Sequence, residues 1–156
     1  MTGTRRIRAA TPADLPALRE LFLSVRQHTF VWQPPDAFHL EDFDTQTEGE
    51  RVFVAEAGDR IAGFISVWEP DDFIHHLFVD TGHTRQGVGR ALLQALPEWS
   101  DRQYRLKCLS RNQPALAFYH AQGFVETAQG VSDDGEYIVL SLDGHDRAEN
   151  TADERK

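Results

Sequence analysis

Apolar residues recur along the chain with two spacings, and together they predict alternating strands and helices. Seven short runs, bounded by glycine, proline or acidic residues, are typical of β-strands. The predicted strands are Arg5–Ala10, Arg51–Ala57, Ile61–Trp68, Phe73–Val79, Tyr104–Leu109, Phe124–Val131 and Gly135–Leu142. Apolar residues three or four positions apart predict helices. The first predicted helix begins at Thr11 or Asp14, and the second spans Phe38–Phe43. The third carries apolar residues from Val88 to Trp99, and Pro97 should end or kink it. The fourth spans Asn112–Gln122.

The order of these elements predicts an α/β (α+β) fold. Gly58-Asp59 is a typical hairpin turn, so the strands on either side of it should be antiparallel. The strands before and after the glycine-rich loop that follows Val79 are joined by a helix, and such a crossover makes a parallel pair. We expect one domain over residues 1–142, with a mixed central sheet of about seven strands and about four helices. Residues 143–156 are polar and are expected to be a disordered tail.

Composition limits the partners and the compartment. The chain has 156 residues and a formal charge of −9, and an acidic chain is a poor match for the phosphates of nucleic acid. It has no apolar run of membrane-spanning length, and its first residues lack the apolar segment of a secretory signal. The single cysteine, Cys108, cannot form an internal disulfide. We therefore expect a cytoplasmic protein that binds neither nucleic acid nor membrane.

The charge is unevenly distributed along the chain. Between His83 and Arg111 there are six basic and two acidic residues, whereas Gln33 to Glu50 hold six acids and no base. A basic segment in an acidic chain indicates a local anion site, although ordinary scatter of surface charge explains it equally well.

The glycine-rich loop carries the first chemical motif. It reads TRQGVGR over residues 84–90, directly after an apolar strand. Glycines let the backbone approach a ligand closely, and the following helix offers free N–H groups and the positive end of its dipole. This favours a phosphate or pyrophosphate, with Arg85 and Arg90 adding charge; a structural turn is the alternative. No Walker lysine follows, and Leu92 stands where a dinucleotide fingerprint has its third glycine.

The second motif lies on the last predicted helix. Asn112 opens this helix, Tyr119 lies within it and Gly123 closes it. Each residue has an ordinary interpretation, because asparagine is a favoured helix N-cap and tyrosine is a common core residue.

The two motifs together resemble the GNAT acetyltransferases. The resemblance lies in their order and spacing, with TRQGVGRALL followed by N-x-x-A-x-x-F-Y-x-x-x-G-F. The resemblance follows the element order from Arg5 to Leu142 and is sharpest from Phe73 to Phe124. It implies an acetyl-CoA-dependent N-acetyltransferase that moves an acetyl group to a primary amine by direct attack, without a metal. A non-catalytic acyl-CoA-binding sensor of the same fold is the alternative.

The resemblance also implies how acetyl-CoA is held. Backbone groups of the strand before the loop would pair with the pantetheine arm, loop amides would hold the pyrophosphate, and Asn112 would bond the pantetheine chain. The implied set is Leu77, Phe78, Val79, Arg85, Gln86, Gly87, Val88, Gly89, Arg90, Asn112 and Tyr119. The strands ending at Val79 and Leu109 would diverge to admit the cofactor. Thr84 departs from the family, which often has glutamine or arginine there, and Arg85 is the candidate to replace that contact.

Acetyl transfer to an amine needs an acid for the departing thiolate and a base for the amine. Tyr119 would lie near the sulfur, and a tyrosine is protonated at neutral pH, so it is the candidate acid. Lys107 stands where some relatives carry a glutamate base. Other relatives place a base at the position of His75, and histidine has a suitable pKa; His76, Glu69 and water are the alternatives. Adjacent strand residues point to opposite faces, so one histidine should face the cofactor cleft while the other packs under a helix.

The segment from Thr29 to Asp44 combines aromatic and acidic side chains. In the family this region helps form the acceptor wall, and such a wall suits a cationic amine. Core aromatics with solvated acids are the alternative. The expected acceptor is a small-molecule or peptide amine, and a homodimer is compatible with the sequence.

Overall fold

The computed structural model describes residues 5–80, 82, 87–99 and 101–142. In these ranges there are seven strands and four α-helices. The strands are β1 Arg5–Ala9, β2 Arg51–Ala57, β3 Arg60–Trp68, β4 Phe73–Val79, β5 Arg105–Leu109, β6 Phe124–Ser132 and β7 Gly135–Leu142. The helices are α1 Leu15–Thr29, α2 Asp42–Gln46, α3 Val88–Gln94 and α4 Gln113–Ala121. No helix in the described ranges has both the length and the apolar character needed to cross a membrane.

The strands form one sheet in the order β1-β2-β3-β4-β5-β7-β6. β1, β2 and β3 are antiparallel neighbours, and so are β5, β7 and β6. β4 and β5 are parallel, as expected for the crossover, and their ladder pairs Phe73 with Arg105 and Ile74 with Leu106. The predicted mixed α/β fold is confirmed.

Two compact units divide the chain: Met1–Val67 with His76–Ala95, and Trp68–His75 with Leu96–Lys156. In the first unit, the apolar stripe of α1 packs against the sheet. Phe22 is 1% exposed and its ring centroid lies 6.0 Å from that of Phe43 and 5.9 Å from that of Phe64. Burying one such side chain stabilises the fold by about 1.5–3 kcal/mol.

An ion-pair network fixes the entry to α1. The Arg8 guanidinium donates two hydrogen bonds to Asp14, at 2.8 and 2.9 Å, and one to Glu56 at 2.6 Å. These bonds to Arg8 lower the pKa of Asp14 to about 2. The folded-state pKa is thus below the unfolded value, so the stabilisation is present above about pH 4 and is lost on acidification.

The core of the second unit lies where α4 covers one side of β5, β7 and β6. Leu106, Phe124, Leu140 and Leu142 are at most 1% exposed. Tyr104 is also buried, and its hydroxyl donates to the Pro97 carbonyl at 2.7 Å. Buried hydroxyl groups are retained when they have such a partner, which here fixes the chain ahead of β5.

Two predicted helices differ from the structure. The helix predicted over Phe38–Phe43 is wrong, because α2 begins only at Asp42, whose Oδ2 accepts the His39 N–H at 2.9 Å and draws the preceding residues into a turn. α3 ends at Gln94, so Trp99 lies beyond it, in the turn that contains Pro97. The tail predicted over residues 143–156 lies outside the described residues.

Candidate active site

In the first unit, β3 approaches the end of β4 and the start of α3 very closely at Gly63. A β-carbon at this glycine would lie 2.7 Å from the Phe78 carbonyl oxygen, 3.1 Å from Val88 Cγ1 and 3.3 Å from Val79 Cα. Only glycine therefore fits at this point without moving the backbone. The sequence analysis missed Gly63, although a glycine inside a strand is a known signal of close backbone approach.

The described part of the glycine-rich loop leads directly into α3. Gly87 is the helix N-cap with φ 78° and ψ 12°, a left-handed conformation that disfavours residues with a side chain. Val88 is buried, whereas the Arg90 side chain is exposed. The first N–H groups of α3 have no partner within the helix itself. Arg85 and Gln86 lie outside the described residues.

Asn112 caps α4 with its side chain. Its Oδ1 accepts the Ala115 N–H at 3.4 Å. Asn112 is therefore a helix N-cap, as its residue type favours. The amide nitrogen of the same side chain makes no hydrogen bond with the described part of the chain. Asn112 is only half-buried, so that nitrogen is available to a ligand.

Tyr119 is the buried polar group of α4. It is 9% exposed and packs edge-on against Phe118 and Phe124, at 5.3 and 5.5 Å between ring centroids. Burial, and then the neighbouring Cys108, raise the pKa of Tyr119. Its hydroxyl has no hydrogen-bond partner among the described residues. Burial also raises the pKa of the Cys108 thiol, to about 11, so both groups are neutral at physiological pH.

The two adjacent histidines of β4 have different surroundings. His76 is 8% exposed and its ring packs edge-on against Phe22 of α1 at 4.8 Å. Its Nδ1 lies 2.9 Å from Ser66 Oγ and its Nε2 lies 3.3 Å from Gln46 Oε1. An amide oxygen only accepts, so Nε2 carries the proton and the Ser66 hydroxyl donates to Nδ1. His75 is exposed.

Two carboxylates, those of Glu69 and Glu50, also bear on the choice of the base. Glu69 lies in the short 3-10 turn after β3 and is exposed. A carboxylate oxygen of Glu50 and one ring nitrogen each of His75 and His76 lie within 4.8 Å of one another. A metal ion held by these three groups would have to displace a hydrogen bond that His76 already makes.

Lys107 lies on the side of β5 that α4 does not cover. It is exposed, and its ammonium lies 4.7 Å from the centre of the Tyr137 ring. Tyr137 in turn lies over Gly130 of β6, where a β-carbon would overlap its ring. The sequence analysis did not connect these residues, because they belong to three different strands.

The acidic segment before β2 is partly neutralised. Asp42 pairs with the buried Arg26 at 3.1 Å, and Asp44 pairs with Arg19 at 2.7 Å. The aromatic residues of the same segment contact one another, with Phe30 5.4 Å from Trp32 between ring centroids. Attraction of a cationic acceptor by this segment is therefore weaker than six acids indicate.

A cavity of about 560 Å³ lies elsewhere in the first unit. Its charged lining residues are Arg8, Asp14, Glu20, Glu56, Asp59, Arg60 and Asp80. Five carboxylates against two guanidinium groups repel a polyphosphate, so this cavity is unsuited to the anion expected at the glycine-rich loop.

Comparison with known proteins identifies the relatives of this chain. The model of the acetyltransferase (GNAT) family matches residues 15–124. Over 124 residues the chain is 33% identical to the peptidyl-lysine N-acetyltransferase YiaC of Escherichia coli (strain K12), covering 76% of this chain and 82% of that protein.

Solved structures show the same fold. The ribosomal-protein-S18-alanine N-acetyltransferase from Escherichia coli superimposes with a TM-score of 0.68 at 26% identity, covering 89% of this chain and 93% of that one. The structure of yncA from Salmonella typhimurium with its cofactor acetyl-CoA gives a TM-score of 0.64 at 23% identity, covering 96% and 99% of the two chains.

Proposed function

The chain belongs to the acetyltransferase (GNAT) family and is an N-acetyltransferase, and from this premise we propose that it transfers the acetyl group of acetyl-CoA to a primary amine by direct attack, with Tyr119 as general acid. The observation that carries the assignment of the acid is the buried, neutral Tyr119 hydroxyl, which has no partner in the described part of the chain.

The residues expected to hold acetyl-CoA fit that ligand. Gly87 places the start of α3 without a side chain in the way, and the exposed Arg90 adds positive charge near the pyrophosphate. Asn112 keeps an amide nitrogen for the pantetheine chain. The backbone from Leu77 to Val79 bonds the pantetheine arm in the way that a strand bonds an added neighbour. These residues are open to such pairing because the ladder to β5 uses only Phe73 and Ile74 of β4. Arg85, Gln86, Val88 and Gly89 complete the proposed loop contacts.

Acetyl-CoA, when bound, supplies the acetyl thioester. Tyr119 donates its proton to the departing thiolate sulfur, and its raised pKa keeps that proton in place until the sulfur becomes basic. Phe118 and Phe124 fix the ring and exclude water from it. A general acid of this kind contributes on the order of a hundredfold or more to the rate.

We assign the base to His75, acting directly or through water. His76 is a weaker candidate because both of its ring nitrogens are engaged and its ring is buried under α1. Glu69, in the turn ahead of β4, is the remaining alternative. An exposed histidine can pass the amine proton to solvent without a further relay.

The acceptor is proposed to be a peptide amine, or a small molecule that resembles one. The relatives support this choice by their names, which specify a peptidyl lysine in one and the alanine of a ribosomal protein in the other. A cytoplasmic location and a homodimer remain predictions of the sequence.

Thiol release from acetyl-CoA across a panel of small amines and short peptides tests the function. We expect release with peptides that present a lysine side chain or a free N-terminus. The absence of release with every amine, together with retained acetyl-CoA binding, would instead support the acyl-CoA sensor.

The loop is tested separately by thermal stabilisation with acetyl-CoA. Gly87→Val should abolish the stabilisation. Gly58→Val is the matched control, because Gly58 also has a positive φ, of 67°, in the same unit, with nothing within 4 Å of its β-carbon position. Equal stabilisation of both variants would remove the loop from the binding site.

A further inference from the structure

One side of the second unit's strands is open and basic. Along β5, Leu106 and Cys108 are buried on the side that α4 covers, so Arg105 and Lys107 point to the other side, where both are exposed. The register continues this side through Val139 and Tyr137 of β7, which pair with Lys107 and Leu109. We call the side that carries Arg105, Lys107, Tyr137 and Val139 the basic face.

The positive charge of the basic face is not neutralised within the described residues. Neither Arg105 nor Lys107 makes an ion pair there. Glu126 of β6 points to the other side, since it is paired with the buried Leu140 and lies 3.8 Å from His120 of α4. The backbone carbonyl of Asp72 accepts the Arg105 N–H at 3.1 Å, but the Asp72 carboxylate is bonded to Arg102, at 3.2 Å. Although the chain has a net charge of −9, two cations on one surface have no ion-pair partner among the residues that the structure describes.

Tyr137 fixes the position of the Lys107 ammonium. Its ring lies 4.7 Å from the ammonium, within the range of a cation–π contact. The ring reaches this place because Gly130, opposite it on β6, has no side chain. The lysine side chain therefore has less freedom than an isolated surface lysine, so less entropy is lost when an anion binds to it.

The candidate base lies near Arg105 in the ladder. Phe73 of β4 pairs with Arg105, and His75 follows Phe73 by two positions on the same strand, which is about 7 Å. An amine presented to His75 therefore lies close to the first cation of the basic face.

We propose that the basic face selects an acidic acceptor, a peptide segment with a carboxylate next to the accepting amine, which Arg105 and Lys107 bind. This inference rests on the proposed acetyl transfer, and it names the substrate class of that site. A polycationic acceptor is repelled.

The test uses three peptides of equal length with one accepting lysine, flanked by glutamate, by glutamine or by lysine. We expect kcat/KM for the glutamate peptide to exceed that for the glutamine peptide by roughly threefold to tenfold, as exposed ion pairs allow. The lysine peptide should be the poorest. The preference should decrease as salt is raised, because the pairs are exposed.

In the double variant Arg105→Gln, Lys107→Gln the ratio between the glutamate and glutamine peptides should fall to about one. Arg60→Gln, which removes an exposed cation of the first unit, is the matched control and should keep the ratio. Tyr137→Leu should reduce the ratio partly, since it frees Lys107 without removing its charge. A ratio that falls as far in Arg60→Gln as in the double variant, or a ratio that is unchanged in the double variant, would overturn the proposal.

Fluorescence anisotropy with the same peptides, labelled, separates this inference from the proposed function. If thiol release occurs but the three peptides are used equally, or the lysine peptide is preferred, the basic face does not select the acceptor and the acetyl transfer stands. If no amine supports thiol release, the acetyl transfer fails, and tighter binding of the glutamate peptide to wild type than to the double variant still decides the inference.

Discussion

The two sides of strands β5 and β7 carry opposite kinds of chemistry. The side under α4 holds Cys108 and Tyr119, whose pKa values burial raises, so both remain neutral. The other side holds Arg105 and Lys107, which are exposed and charged. Strand alternation alone separates them, since Lys107 and Cys108 are neighbours in sequence. In the proposed reaction, the buried side keeps a proton for the leaving group, while the open side receives a charged, hydrated substrate.

The largest expected effect is on stability, and it separates two neighbouring residues, Leu106 on the buried side and Lys107 on the exposed side. Leu106→Ala removes a side chain that is 1% exposed and should lower the free energy of unfolding by about 2–5 kcal/mol. Lys107→Ala should change it by less than about 0.5 kcal/mol. Urea unfolding of the two variants measures both values. Similar losses would mean that the two sides are not packed differently.

Removing the hydroxyl of the closed side should be almost as severe for the reaction. Tyr119→Phe should lower kcat by roughly a hundredfold or more while the KM for acetyl-CoA changes little, because the ring stays packed and only the proton is lost. Steady-state kinetics with the best amine of the panel measures both constants. Near-full turnover of the variant would show that water protonates the thiolate.

Removing the proposed base, His75, should cost less, because water can take over part of its role. If His75 accepts the proton, wild-type activity should fall on acidification, because a protonated imidazole cannot act as a base. His75→Ala should lower turnover at pH 7 by roughly tenfold and flatten that acidic limb. The pH–rate profile needs a saturating amine of low pKa, so that the amine's own ionisation does not shape it.

His76→Ala is the control for this profile. Because His76 is buried and bonded to Ser66 and Gln46, its loss should lower the unfolding temperature and leave the shape of the profile unchanged. If wild type and His75→Ala are equally active at pH 7, the base is Glu69 or His76.

The smallest effect expected is on stability at alkaline pH. The Cys108 thiol has a folded-state pKa of about 11, above its ordinary value, so the unfolded chain loses the proton first as pH rises. Stability should be unaffected below about pH 8 and should fall by about 1 kcal/mol towards pH 10. Urea unfolding at several pH values should show this slope in wild type and a shallower one in Cys108→Ala. Equal slopes would mean that Cys108 can ionise in the folded protein.

Local patterns were sufficient to predict most of the fold. The strands β2, β4 and β7 have the predicted bounds, because alternating or clustered apolar residues between turn residues leave few other structures open. α2 was misplaced because its start depends on Arg26, which donates to the His39 carbonyl and to Asp42 from a different helix. No window of sequence contains that contact.

Candidate site residues could be named from the sequence where a motif is continuous, and not where a set of residues is assembled from several strands. Tyr119 and Gly87 stand within runs whose spacing is informative by itself. The set formed by Lys107, Tyr137 and Gly130 depends on the register of β5, β7 and β6, which the sequence analysis did not attempt. The ion pairs that neutralise Asp42 and Asp44 are long-range in the same way, so a count of acids overstated the charge of that segment.

The close approach at Gly63 has a consequence for how this family member can diverge. Two of the three atoms that a β-carbon would meet, the Phe78 oxygen and Val79 Cα, belong to the backbone, and only Val88 Cγ1 belongs to a side chain. A compensating substitution at position 88 can therefore relieve one contact of the three. Gly63→Ala should remain deleterious in every background at position 88, which makes it a site without epistatic rescue. In a pairwise mutational library, Val88→Ala should not restore acetyl-CoA binding to Gly63→Ala.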